Sequence, residues 1–316
     1  MNFNRNLIVV ILVGAGVLAA AELYARKMEI IRTPEGPATV LRDSVAITDS
    51  GAVIYSRYAM LNRSQDHVVL WNAVIISTPE VYVQADSVEY DFRQRRSWLY
   101  ARSGNKVLVR QESVEIRAPV IEYAFAEGLV KAPATLELNS ISKSFIITGE
   151  RGSYFVNTRS GTVDSEPVLT IRGNDRESVI ITAGKMEYDD ATGEFLAGGA
   201  VRVDAGAGEL VCDSAVFYVR ADSGVAWGKP EIGDSSGTVR GERVVFFIRE
   251  RNLRQVVVRG CAEGEYRTGE GETVRVSGSV LSMWLAEGKI ELIEVEGLLS
   301  GQLIRRVRHS DGFRVQ

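Results

Sequence analysis

Ile181-Thr182-Ala183-Gly184-Lys185-Met186-Glu187-Tyr188-Asp189-Asp190 is the stretch on which the fold turns. Its apolar and small residues fall at 181, 183, 186 and 188, so they advance by two, three and two places. Side chains alternate between the faces of a strand, so a step of two keeps a residue on one face and a step of three changes it. A straight strand would then leave half of this apolar set in water. A bend at the small residue removes the conflict. A bulge or corner there carries the chain from one sheet to a facing one with both halves pointing inward, and Gly or Ala is what so crowded a corner accommodates.

The same phrase recurs as Val83/Ala85/Val88/Tyr90, Ile116/Ala118/Ile121/Tyr123, Ile147/Gly149/Gly152/Tyr154, Leu210/Cys212/Ala215/Phe217, Val239/Gly241/Val244/Phe246 and Val276/Gly278/Leu281/Met283, making about seven copies. The small residue advances by 33, 31, 34, 29, 29 and 37 positions, which is a repeat with loops of variable length. A degenerate further copy begins near Ile47. A second bent phrase follows each first one after turn residues such as Asp222-Ser223-Gly224: Leu196/Gly198 steps by three to Val201/Val203, and Val163/Ser165 to Val168. No long stretch keeps a helical period, and Val, Ile, Tyr, Phe and Thr recur in short runs broken by Gly, Asp, Asn and Ser, so the chain reads as all-β. Stacked repeats of this kind form an elongated array of two facing antiparallel sheets.

Ahead of the array, Leu7 to Ala21 runs fifteen residues without a polar side chain. The run is short for a membrane span and ends in Ala19-Ala20-Ala21, the pattern of a removable signal peptide. Extended through Leu23 and Tyr24, it equally suits a single transmembrane anchor formed by one hydrophobic helix, which in the family resembled below would sit in the inner membrane. Both readings export the rest of the chain. The expected organisation is therefore 1–25 as signal peptide or anchor, 26–80 as poorly matched N-terminal strands, 81–297 as the repeat array and 298–316 as a C-terminal tail.

Thirty-seven Lys and Arg against 41 Asp and Glu leave a net charge of −4, so the broad basic field that nucleic-acid binding relies on is missing. Two histidines and two cysteines remove most metal-ligand constellations, and no metal or other cofactor is expected. Cys212 and Cys261 either pair in an oxidising compartment or remain separate small hydrophobes. The column Tyr90, Tyr123, Tyr154, Tyr188, Phe217 and Phe246 reads either as ordinary core packing or as the lining of an apolar trough between splayed sheets.

In Ile181 to Asp190, and in Phe195-Leu196-Ala197-Gly198-Gly199-Ala200-Val201-Arg202-Val203, the sequence resembles the OstA-like repeats of lipopolysaccharide transport, a likeness that extends over about residues 80 to 297. The resemblance implies a β-jellyroll, open along one side, that shields the acyl chains of lipopolysaccharide across the periplasm and joins end to end with related jellyroll proteins. It implies binding rather than catalysis. Tyr90, Tyr123, Tyr154, Tyr188, Phe217, Phe246 and Met283 would line the lipid groove, and Arg93, Arg95, Arg96, Arg249 and Arg251, in equivalent turns, would meet headgroup phosphates. The alternatives are a self-associating structural β-array of the envelope, with a closed dry core, and a polysaccharide-acting β-solenoid enzyme. The enzyme would need acids and bases gathered on one face, whereas Glu89, Glu122 and Glu187 fall on the outward parity.

Overall fold

The computed structural model of the chain describes residues 8–11, 21–34, 36–62, 66–140, 145–172, 178–205, 208–249, 252–267, 272–286 and 289–304. Among these the chain is all-β, with antiparallel pairing and one short helical turn at Val219–Ala221, consistent with a β-jellyroll.

The strand Tyr82–Asp91 shows how the phrase folds. Val83 and Ala85 are buried, and after the step of three Val88 and Tyr90 are buried as well. Its first half pairs with residues 74–77 and its second with residues 67–71, while Asn72 and Ala73 of the neighbouring strand stand opposite Asp86 alone. Both members of that doublet are left-handed, at φ 71° and 60°. The same two-against-one bulge sets Asp43-Ser44 against Arg57, Gly199-Ala200 against Asp213 and Gly260-Cys261 against Ser279. The bend expected at the small residue is thus present, but its longer arm lies on the neighbouring strand. Bulges bend the chain and strengthen its twist, which is how one strand serves two ladders.

Crowding at the bend explains the small residue. A Cβ on Gly241 would lie 2.5 Å from Cγ1 of Val258, and one on Gly278 would lie 2.6 Å from Cγ1 of Val295 and 2.8 Å from the carbonyl oxygen of Glu296. The third copy, with glycine where an aliphatic residue usually sits, has the same cause. A Cβ on Gly152 would lie 2.3 Å from Cδ2 of Leu136, whose side chain occupies that place.

The chain divides into two compact units, residues 1–169 with 189–191, and residues 170–188 with 192–316. In the first, one ladder runs through residues 39–42, 58–61, 68–71, 87–91, 96–100, 120–124, 129–132 and 152–155. A second runs through 45–49, 52–55, 74–77, 82–84, 108–110, 114–118, 136–140 and 145–149. Bent strands connect the ladders, and both bury apolar side chains, Leu70, Leu99 and Ile121 from one, Ile54, Ile76 and Ile147 from the other. The second unit has the same plan, with residues 194–198, 214–218, 223–227, 243–247, 255–259 and 280–284 in one ladder. Residues 201–204, 209–212, 231–233, 237–240, 262–267, 273–278 and 300–304 form the other.

Several boundaries differ from those expected. Glu22–Ala25 is a strand paired with residues 46–48, and the N–H of Arg26 donates to the Asp43 carbonyl where the chain bends into Lys27–Thr33. The array therefore begins inside the segment assigned to a leader or anchor, because Leu23/Ala25/Met28/Ile30 repeats the phrase. Ile54/Ser56/Ala59/Leu61 repeats it too, so the stretch 26–80 belongs to the same architecture. Of the hydrophobic run Leu7 to Ala21, residue 7 and residues 12–20 lie outside the described residues, and Ile8–Ile11 is a strand paired with Glu22–Ala25, where a helix was expected. No helix among the described residues is long and apolar enough to cross a membrane. Ser300–Ile304, expected in a tail, is a strand paired with Thr273–Ala286, and residues 305–316 lie outside the described residues. Both cysteines are free, Cys212 buried and Cys261 exposed.

Candidate functional site

All seven expected groove residues, Tyr90, Tyr123, Tyr154, Tyr188, Phe217, Phe246 and Met283, point inward and are between 1% and 7% exposed. Small residues across the ladder make room for the rings: Ser97 stands opposite both Tyr90 and Tyr123, and Gly224 opposite both Phe217 and Phe246. Tyr90 meets Phe92 and Phe125 edge-on at 5.0 and 5.6 Å between ring centroids, and Tyr188 stacks on Phe195 at 4.7 Å. These contacts favour packing of the column over its service as a lining open to solvent.

The first unit carries a set of polar contacts that the sequence did not point out. Opposite the line of bends, each ladder ends in a row of turns. Among the described residues, one row comprises the turns at 91–96, 124–129 and 155–160, with Asp66 beside the first of them, and the other those at 49–52, 77–82 and 111–114. Side chains cross from row to row. The Tyr90 hydroxyl donates to Oδ2 of Asp49 over 2.5 Å, and the Tyr154 hydroxyl to Oε1 of Gln111 over 2.9 Å. Nε2 of Gln111 donates to the Val156 carbonyl over 3.0 Å, and the Arg159 guanidinium pairs with Glu112 over 3.0 Å and also with Asp190. Asp49, Gln111 and Asp190 are buried, so each bond satisfies a group that would otherwise cost free energy to bury. Burial foremost, with the charge of Glu80 adding, pushes the Tyr123 hydroxyl up to about 12. Burial likewise raises Tyr154, and raises Tyr90 together with its bond to Asp49.

Behind Tyr154 lies a narrow slit lined by Ile116, Leu136, Leu138 and Val163 among others, with about 10 Å³ of free space. That is at most room for a single water. An acyl chain can occupy this interior only if the two ladders part.

In the second unit the inward face is less completely covered towards its end. Val239 is buried, but Ile232, Val274 and Val276 are half-buried, and Leu303 is 59% exposed. Among the described pairings, Ser300–Ile304 and Lys289–Glu296 each bond on one side only, to Thr273–Ala286, and Leu292, Leu298, Leu299 and Ile304 are exposed beside them. At the start of the first unit, among the described pairings, Lys27–Thr33 bonds on one side, to Gly36–Asp49, and Met28, Ile30 and Ile31 are exposed.

The expected headgroup arginines are engaged with protein groups. Arg93 pairs with Asp66 at 2.9 Å, Arg96 with Glu122 at 3.1 Å and Glu127 at 3.7 Å, and Arg95 reaches the Tyr90 hydroxyl. Arg251 and the side chain of Arg249 lie outside the described residues. Among the described residues no three His, Cys, Asp or Glu side chains are grouped to hold a metal. Burial pushes the Cys212 thiol up to about 11, away from a reactive thiolate. Neither a family model nor a curated protein matches this chain.

Proposed function

We propose that this chain is a non-catalytic carrier that shelters the acyl chains of lipopolysaccharide, or a similar glycolipid, in the periplasm. The observation that carries the reading is that, within each unit, the apolar inward face is buried through both halves of bent strands such as Val83/Ala85/Val88/Tyr90 in the first and Leu210/Cys212/Ala215/Phe217 in the second. Each methylene withdrawn from water contributes roughly 0.8 kcal/mol, and repetition of nearly equivalent positions lets a chain slide without a deep minimum. In this reading the ladders are two facing sheets of a repeat-built jellyroll whose groove opens on the side away from the bends. The one-sided strands at the two ends, with their exposed leucines and isoleucines, suit β-augmentation by related jellyroll proteins. The resemblance to OstA-like repeats supports the same assignment.

One observation favours a second reading. The near-complete burial of Tyr90, Tyr123 and Tyr154 is what a closed structural β-array of the envelope would have. A photo-crosslinking residue at Phe217 or Tyr188, irradiated in the presence of purified lipopolysaccharide, separates the two. Adducts at either position support the carrier. No adduct there, with adducts from a probe at an exposed position such as Leu196, supports the closed array.

A further inference from the structure

We infer that the rim of the first unit is a lateral entry for an acyl chain, held shut by hydrogen bonds that span it, above all those of Gln111 to Tyr154 and Val156. The inference rests on the carrier reading and adds where the lipid enters and what must break.

The two rows of turns lie far apart in sequence yet are tied by side chains. The Tyr90 to Asp49, Tyr154 to Gln111 and Gln111 to Val156 bonds span 41, 43 and 45 residues. They sit on the side away from the bends, the only side on which the ladders can separate without breaking a covalently continuous strand. At the bends each strand passes from one ladder to the other, and main-chain bonds lie there, such as the 3.1 Å bond from the N–H of Arg26 to the Asp43 carbonyl and the 3.0 Å bond from the N–H of Ala101 to the Pro119 carbonyl. At the rim, by contrast, what ties the two rows among the described residues includes the side-chain bonds of Tyr90, Tyr154 and Gln111 and the Arg159–Glu112 ion pair.

The chemistry of the crossing groups fits a closure that opens. The rim holds buried polar groups that are satisfied by bonds across it. Here Gln111 is buried with its oxygen and nitrogen both bonded across the gap, and Tyr154 both carries one of those bonds and lines the slit behind. Displacing the Tyr154 ring would therefore widen the slit and break one of the two latch bonds in one movement. Side-chain hydrogen bonds contribute about 1 kcal/mol net each, because water replaces the partner when they open. Apolar burial of an incoming chain outweighs a few such bonds within a small number of methylenes. Glu112 and Arg159, at the mouth above Gln111, are 64% and 35% exposed in their side chains, so water reaches this pair without prior opening.

The test uses the full chain and a long-chain fatty acid bearing a diazirine. Labelling of peptides containing Ile116, Leu136 and Leu138 is followed by mass spectrometry over time. Gln111→Leu, which removes both latch bonds, is expected to raise the initial labelling rate roughly thirty-fold, the factor that two lost net hydrogen bonds of about 1 kcal/mol each give. In a Cys261→Ser background, Glu112→Cys with Arg159→Cys, bridged by a short bismaleimide, is expected to lower it by a similar factor, and the unbridged double variant is not. Arg93→Ala, whose partner Asp66 lies in the same row of turns, serves as a control that leaves the rate unchanged. Should Gln111→Leu fail to fold, by circular dichroism, the bridged variant alone decides. Wild-type labelling that responds neither to latch removal nor to bridging overturns the entry while leaving the carrier intact. No labelling anywhere in the wild-type chain overturns the carrier and the entry with it.

Discussion

Gly224 lies directly across the ladder from Phe246, and a Cβ on Gly224 would fall 2.1 Å from the tip of the Phe246 ring. The ring fills the space a side chain would take. Gly224→Ala is therefore expected to destabilise the protein by about 1–3 kcal/mol, the usual range for overpacking, read as a lower urea midpoint. Phe246→Leu made in the same chain should recover part of that loss, whereas additive losses would show that ring and glycine do not share the space.

The inward parity on either side of the bend makes a sharper comparison. Tyr188 is 3% exposed and Glu187, its neighbour, is exposed. Tyr188→Asp should cost more than about 3 kcal/mol and Glu187→Asp less than about 0.5 kcal/mol. Similar unfolding midpoints for the two variants would contradict the faces assigned to them.

Buried tyrosines couple stability to alkaline pH. Burial pushes the Tyr123 hydroxyl up to about 12 in the folded chain, against about 10 for an unfolded tyrosine. Folding thus favours the protonated hydroxyl. The stabilisation is complete below about pH 10 and is lost as pH rises through about 12. Tyr123→Phe should flatten that decline above about pH 10 and leave the pH dependence below it unchanged, as measured by chemical unfolding across the range. An unchanged slope would remove Tyr123 from the account.

At the C-terminal edge, Leu299 and Leu303 are 79% and 59% exposed beside a strand paired on one side. Leu299→Lys with Leu303→Lys places charges where a further strand would add, a device that blunts exposed edges. Sedimentation should show less concentration-dependent association than for the parent chain. Identical mass distributions would argue that the edge is not a joining surface.

Arg93 is expected to matter little. Its pair with Asp66 is exposed, and such pairs contribute about 0–1 kcal/mol. Arg93→Ala should leave both the unfolding midpoint and binding of an anionic lipid vesicle close to those of the parent. A large loss of vesicle binding with stability intact would restore the headgroup role.

The sequence by itself determined the all-β class, the bent strand and the inward faces, because these follow from steps of two and three along a few neighbouring residues. Val83, Ala85, Val88 and Tyr90 could be assigned to one interior from spacing alone, and the need for a small residue at Gly241 or Gly278 followed from the same bend. The copies at Leu23 and Ile54 carry the same spacing and were legible in principle, but Met28 and Ser56 depart from the commoner residue choices. Only the tertiary structure decided which strand takes the long arm of each bend, since Asp43, Ser44, Asn72 and Ala73 adopt left-handed conformations that their identities merely permit. It alone brought Asp49 to Tyr90 and Gln111 to Tyr154. Such partners lie more than forty residues apart and are matched by how two ladders close on each other, a relation with no period in the chain for local spacing to reveal.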